Sequence, residues 1–135
     1  MAGQIQLEVV TPERRVLSQA VDAVQAPGAD GSFGVLPGHT PFISLMKAGR
    51  LVATSGGSSQ SFAVGEGFVQ VANNKVLVLA EFATRAEDID LAAAKSEHAA
   101  EEKKLHGMTQ DHAEYELQRA KVERAAARVL VSERR

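Results

Sequence analysis

Hydrophobic and polar positions alternate strictly at the start of the chain: Ile5, Leu7 and Val9 interleave with Gln4, Gln6 and Glu8. A period of two is the signature of a strand with one face buried. Val69-Gln70-Val71 repeats it, and Asn73-Asn74 separates that run from Val76-Leu77-Val78-Leu79. Asparagine tolerates the left-handed backbone region, so this pair predicts a tight hairpin. Leu51-Val52-Ala53-Thr54 and Ser61-Phe62-Ala63-Val64 flank Ser55-Gly56-Gly57-Ser58-Ser59, which predicts a second hairpin. Shorter runs at Arg15-Val16-Leu17 and residues 21–26 complete a set of closely spaced strands, the pattern of an antiparallel sandwich or barrel.

The period changes after Arg85. All four prolines, and every glycine except Gly107, lie before it. Of the 49 residues from position 87 onward, 20 are charged and 10 are alanine; of the first 86, only 12 are charged. Such a shift marks a boundary between a β half, residues 1–86, and a helical half, residues 87–135. Alanine, glutamate, lysine and arginine favour helix. Asp88 or Asp90 is placed to cap a first helix that runs to about Leu105. His106-Gly107 supplies a stop, and Thr109 or Asp111 starts a second helix, giving an antiparallel hairpin. The expected apolar faces are thin: Ile89, Ala92, Ala93, Ala99 and Ala100 on the first helix, and Leu117, Ala120, Ala127 and Val131 on the second. Val122, Ala126 and Val129 flank the latter. Burying an alanine methyl contributes about 0.8 kcal/mol, against about 1.5–3 for valine or leucine. Docking of the hairpin is therefore expected to be marginal.

Composition removes several classes of chemistry. The chain has no cysteine, so disulfides, thiol catalysis and thiolate metal sites are excluded. A net charge of −2 argues against a dedicated nucleic-acid binder. Met1-Ala2-Gly3-Gln4 lacks the basic and then apolar run of a signal peptide, and no apolar run of about 18 residues predicts a membrane span. No Gly-x-Ser-x-Gly elbow or Walker lysine is present, and Gly65-Glu66-Gly67 lacks the third glycine of a dinucleotide fingerprint. No catalytic residue is assigned. His98 with Glu101 and Glu102 has helix-face spacing that a metal could use, but an ion-pair face is the simpler reading, and no metal site is assigned. The basic residues Arg119, Lys121, Arg124, Arg128, Arg134 and Arg135 outnumber the acids near the carboxyl end, which suits a solvated face or a grip on an acidic partner.

One segment stands apart: Gly31-Ser32-Phe33-Gly34-Val35-Leu36-Pro37-Gly38-His39-Thr40-Pro41-Phe42. Glycine and proline shape it, yet Phe33, Val35, Leu36 and Phe42 are too apolar for a solvated loop. It reads as a turn pinned to a core, a suitable docking surface.

These residues carry a resemblance. The chain resembles the epsilon subunit of the F-type ATP synthase, the counterpart of the mitochondrial delta subunit. The match begins at Leu7-Glu8-Val9-Val10-Thr11-Pro12 and continues through Ala29-Asp30 into the segment just described. It resumes at Val78-Leu79-Ala80-Glu81 and Arg85-Ala86-Glu87-Asp88-Ile89-Asp90. The resemblance implies an α+β fold, an antiparallel β-sandwich of about ten strands followed by the two-helix hairpin. It further implies a non-catalytic rotor subunit that binds gamma and the c-ring and lies peripheral to the membrane, on the cytoplasmic face of the bacterial inner membrane. By the same resemblance, Asp30, Gly31 and Ser32 face the c-ring, and His39, Thr40 and Pro41 contact gamma. Arg119, Arg124 and Arg128 would grip the alpha and beta subunits when the hairpin extends and inhibits ATP hydrolysis.

Some members bind ATP through an Ile-Asp-x-x-Arg-Ala pattern. Here Ile89, Asp90, Arg124 and Arg128 remain, but Ala93 stands at the motif arginine. Losing a bidentate phosphate partner implies ATP binding that is weak or absent, and no cofactor is expected. The rival readings are a purely structural coupling subunit whose hairpin never extends, and an unrelated β-sandwich adaptor.

Overall fold

The computed structural model describes residues 3–133; Met1, Ala2, Arg134 and Arg135 lie outside the described residues. Ten strands come first: β1 (Ile5–Val10), β2 (Arg15–Val21), β3 (Ala23–Gly28), β4 (Gly31–Val35), β5 (Phe42–Met46), β6 (Gly49–Ser55), β7 (Ser58–Val64), β8 (Gly67–Ala72), β9 (Lys75–Ala80) and β10 (Ala83–Arg85). A 3₁₀ turn, Ala86–Asp88, leads into α1 (Leu91–His106) and α2 (Tyr115–Glu133).

Strand order is β10-β7-β6-β3-β5-β8-β9-β1-β2, with β4 paired to β3. Every pairing is antiparallel except β1 with β9, which is parallel. Gln60 on β7 donates to Gln19 on β2 at 3.0 Å. Strands from opposite ends of the order thus lie side by side, and the sheet nearly closes on itself as a sandwich. Its interior is the alternating set: Ile5, Leu7, Val9, Leu51, Phe62, Val64, Val69, Val76 and Val78 are all fully buried.

Both predicted hairpins form. Asn73 and Asn74 have φ of 52° and 57°, the paired left-handed conformation that matches strand twist, between partners Ala72 and Lys75. Gly56-Gly57 joins β6 to β7 between partners Ser55 and Ser58. Gly67 is required by close approach: a Cβ there would lie 1.7 Å from the carbonyl oxygen of Leu79 on the neighbouring strand.

The residue pattern alone did not show β4, β5 and β10. β4 reads Gly-Ser-Phe-Gly-Val, poor in strand formers, and is a strand because a tight turn lays it along β3 from Gly28↔Gly31 to Val24↔Val35. β5 is apolar on both faces and so lacks alternation.

The hairpin keeps its expected cap and stop and differs from expectation in two details, the start of the second helix and the buried faces. Asp90 caps α1, its carboxylate accepting from the Ala93 amide at 3.1 Å, and Gly107 ends it in a right-handed conformation with its amide bonded to the Lys104 carbonyl. The second helix begins at Tyr115, not at Thr109 or Asp111. Before it, the His112 and Tyr115 amides close turns onto the Thr109 and His112 carbonyls, and the Glu114 amide donates to the His112 ring. Such local side-chain bonds compete with helix. The buried faces also differ: Ala92, Ala93, Ala99 and Ala100 are exposed, whereas Ala94 is buried with Leu91, His98, Glu101 and Leu105 half-buried along the same stripe. On α2, Leu117 is 67% exposed and Gln118 is buried in its stead, because the Gln118 amide donates to the Glu101 carbonyl at 2.8 Å across the hairpin.

α2 lies against β6, β7 and the 3₁₀ turn. Ala63, Ala86, Ile89, Ala94 and Val131 form the small apolar cluster there, flanked by Phe82 and Val129. The hairpin is folded down on the sandwich.

Candidate functional site

Three surfaces are candidates, and the first and third collect the residues that the sequence singled out. In the first, Ala29 and Asp30 make the exposed β3–β4 turn, Gly31 and Ser32 open β4, and His39, Thr40 and Pro41 are exposed in the loop before β5. The two groups are neighbours. Gly28, Asp30, Ser32, Phe33, His39 and Phe42 line one open concavity of about 400 Å³. Its wall is aromatic, with Phe33 edge-on to Phe42 at 5.2 Å and the His39 ring 4.9 Å from Phe42. His39 Nδ1 lies 2.7 Å from the Thr40 carbonyl, and a carbonyl only accepts, so Nδ1 carries the proton and Nε2 is left for a partner. The loop is pinned by the Gly38 amide, which donates to Asn74 Oδ1 at 2.7 Å. Gly38 has φ of 83°, a conformation an L side chain resists.

The second surface was missed by the sequence reading. Outward-facing Ile43 and Leu45 on β5, Phe68 on β8 and Leu79 on β9 are 68%, 59%, 50% and 43% exposed. Leu45 pairs with Phe68 and Phe68 with Leu79, while Ile43, Gln70 and half-buried Leu77 form the next row. These rows make a contiguous apolar face across three strands, adjoining the loop of His39. The available signal was the lack of alternation in Phe42-Ile43-Ser44-Leu45-Met46 and Val76-Leu77-Val78-Leu79: a strand apolar on both sides needs two covers.

The third surface is the hairpin seam. Arg124 donates from Nε and Nη2 to the two carboxylate oxygens of Glu66, at 2.8 and 3.1 Å, tying α2 to the sandwich. Arg128 reaches Glu97 on α1 at 2.7 Å and stacks over Phe82 at 4.3 Å. Among the described residues, Arg119 bonds only Glu116 and Glu123 of its own helix. Burial pushes the Glu66 carboxyl up, but its hydrogen bonds to Arg124 and to backbone, with the guanidinium charge, outweigh this and hold its pKa below the ordinary glutamate value. Arg124 is raised in turn, chiefly by its hydrogen bond to Glu66.

The residues considered for nucleotide are already engaged. Ile89 is buried in the apolar cluster, Asp90 caps α1, and Arg124 and Arg128 hold carboxylates. The concavity beside them, about 210 Å³, is bordered by Asp88, Asp90 and Glu97, with Arg128 the one cation among the described residues that line it and Ala93 on its wall. Such a rim repels phosphate. His98 Nε2 lies 3.9 Å from Glu102, whereas Glu101 pairs with Lys104.

An open apolar sheet face, a pinned aromatic loop and a helical hairpin held by ion pairs define an assembly subunit, a protein built to sit among others. The comparisons make this specific. Residues 4–86 match the family model described as ATP synthase, Delta/Epsilon chain, beta-sandwich domain. An ATP synthase epsilon chain of Anaeromyxobacter sp. is 46% identical over 128 residues, covering 95% of this chain and 97% of the relative. That of Myxococcus xanthus is 44% identical over 127 residues, covering 94% and 93%. Among solved structures, a chain of the Euglena gracilis mitochondrial ATP synthase with its c-ring superposes with a TM-score of 0.82 at 22% identity, covering 100% of this chain and 84% of that one. A chain of the Tetrahymena thermophila mitochondrial ATP synthase central stalk and c-ring gives 0.63 at 15% identity, covering 96% and 95%. The chain belongs to the family of ATP synthase delta/epsilon chains. An unrelated sandwich adaptor is thereby set aside. No helix among the described residues is long and apolar enough to cross a membrane.

Proposed function

We propose that this chain is a non-catalytic rotor subunit of the central stalk, coupling c-ring rotation to the catalytic head through gamma. The observation that carries the reading is the apolar face of Ile43, Leu45, Phe68 and Leu79 beside the His39 loop. A sandwich with a complete interior has no folding need for four large apolar residues side by side in water, and such a patch marks a protein-protein contact. Gamma covers this face, with His39, Thr40 and Pro41 at its margin; Asp30, Gly31 and Ser32 reach the c-ring. In the assembly the chain sits peripheral to the membrane, on the cytoplasmic face of the bacterial inner membrane. The test is co-purification with gamma. Leu45→Asp with Phe68→Asp, both exposed in the free chain, should abolish it while the far-ultraviolet spectrum is unchanged; retained binding refutes the reading.

A regulatory role for the hairpin is supported by its mode of attachment. Arg124 and Arg128 are held by Glu66 and Glu97 when the hairpin is down, so extension frees the same guanidiniums, with Arg119, to grip acidic alpha and beta surfaces. Removing residues 91–135 should raise ATP hydrolysis by the complex. Unchanged hydrolysis under every energisation state would leave a purely structural subunit. The hairpin itself binds ATP no tighter than millimolar, since carboxylates ring the concavity beside Ala93; a micromolar isotherm would contradict this.

A further inference from the structure

A concavity of about 750 Å³ lies between the sandwich and α2, on the far side of the helix from Glu97. Its chemistry is divided. On the sandwich side stand Lys47, from the β5–β6 loop, and Arg50, on β6. Neither has a carboxylate partner among the described residues. Arg50 spends little of its donor capacity: Nη2 makes one long bond to the Ser61 hydroxyl at 3.3 Å, and Nε is buried without a partner. On the helix side, Ala126, Ala127 and Leu130 leave an apolar wall set back by the small size of alanine, continued by Val52 and Pro27 across the cleft. Arg119 closes one end, and the single carboxylate of the lining, Glu123, is already paired to it at 3.5 Å.

We propose that this cleft is a binding site for a small soluble amphipathic phosphate, a compact anionic head on an apolar body of several carbons. The head takes the Nη donors of Arg50, of which Nη2 spends only one long bond, and the Lys47 ammonium, for which a phosphate offers several acceptor oxygens in fork geometry. The body lies along Ala126, Ala127 and Leu130, covering apolar surface that the helix leaves open to water. Since the walls belong to both the sandwich and α2, the occupant also clamps the hairpin down. This goes beyond the rotor reading and does not depend on it, because the site is complete in the isolated chain.

The experiment is an amide chemical-shift titration of the full chain with three probes: inorganic phosphate for the head, 1-octanol for the body, and octyl phosphate for both. Octyl phosphate should shift amides of residues 47–52 and 119–130 and bind at least about tenfold more tightly than either fragment. Arg50→Gln should weaken it by about tenfold or more, and Arg50→Lys by less, since the charge persists without the fork. Lys121→Gln, on the opposite side of α2, should leave it unchanged. Hydrogen exchange in α2 should slow on saturation. Equal binding of octanol and octyl phosphate, or unaltered affinity in both Arg50 variants, overturns the proposal. Vesicles containing phosphatidic acid separate the sources: if they capture the chain through Lys47 and Arg50 while octyl phosphate shifts none of these amides, the soluble ligand is wrong.

Discussion

Among the described residues, eighteen that are buried fill the interior of the sandwich, including Phe62, Ile5, Leu7 and Leu51, whereas the cluster between hairpin and sandwich has five, three of them alanine. Each fully buried valine, leucine or phenylalanine contributes about 1.5–3 kcal/mol, and each alanine methyl about 0.8. The hairpin seam substitutes polar ties for volume: Arg124 with Glu66, Arg128 with Glu97, and Gln118 with the Glu101 carbonyl. Apolar burial is insensitive to salt and to pH, while part-exposed ion pairs respond to both. One region is thus a rigid platform and the other an element whose attachment can be tuned. Local opening free energies should differ accordingly.

Two truncations test that division most severely. Phe62→Ala empties the middle of the sandwich and should cost about 3–5 kcal/mol of global stability. Val131→Ala truncates a fully buried branched side chain of α2 in the seam with the sandwich, and should cost about 2 kcal/mol, confined to hairpin docking. Denaturant unfolding followed by the amide resonances of the sandwich reads the first. Hydrogen exchange of α2 reads the second. A Val131→Ala chain whose sandwich amides lose as much protection as its helix amides would show a single cooperative unit, and the contrast would be gone.

How legible each region was follows from the same physics. Strands buried on one side carry their structure in the order of residues, so β1, β6 to β9 and the Asn73-Asn74 turn could be read directly. β4 could not, because its identity comes from pairing with β3 and not from its own Gly-Ser-Phe-Gly-Val. In α1, alanine occurs on the buried side at Ala94 and on the open side at Ala92, Ala93, Ala99 and Ala100, so it gives no direction, and the exposed four were placed inside. Leu117 was placed inside by hydrophobicity, yet a hydrogen bond decides for Gln118. The loop around His39 was visible as a docking segment. Its extension over Ile43, Leu45, Phe68 and Leu79 was not, since it depends on strand neighbours far apart in sequence, and Glu66 and Arg124 are separated by 58 residues.

A smaller effect sharpens the comparison from the side of local structure. The Asp90 carboxylate accepts from the Ala93 amide at the start of α1. Asp90→Ala should cost about 1 kcal/mol. Since helix formation here is local while docking is tertiary, exchange should rise in the first turn of α1 with α2 protection little changed. Equal loss in both helices would mean that the hairpin folds and docks in one step.

The least costly change is protonation of Glu66, and its sign can be worked out. Docked, its carboxyl titrates below the ordinary glutamate value, because the bonds to Arg124 and backbone outweigh desolvation; undocked, it returns to that value. The undocked hairpin therefore binds more protons, and acid favours it. The contribution is complete above the ordinary glutamate range and is lost as pH falls through the lowered value of the docked state. Glu81 also faces the guanidinium and keeps part of its charge compensated, which reduces the effect. For a pair this exposed the change should be about 1 kcal/mol or less, and smaller still in high salt. A fluorescence-transfer pair between the sandwich and the hairpin tip reads docking directly. From pH 7 to about pH 4 the transfer should fall, more at low ionic strength than high. Glu66→Gln should start lower and respond less, whereas Arg119→Gln, whose partners lie on its own helix, should follow the parent curve. An Arg119 variant that reproduces the Glu66→Gln profile would mean that overall charge on α2, and not the Glu66–Arg124 tie, sets the attachment.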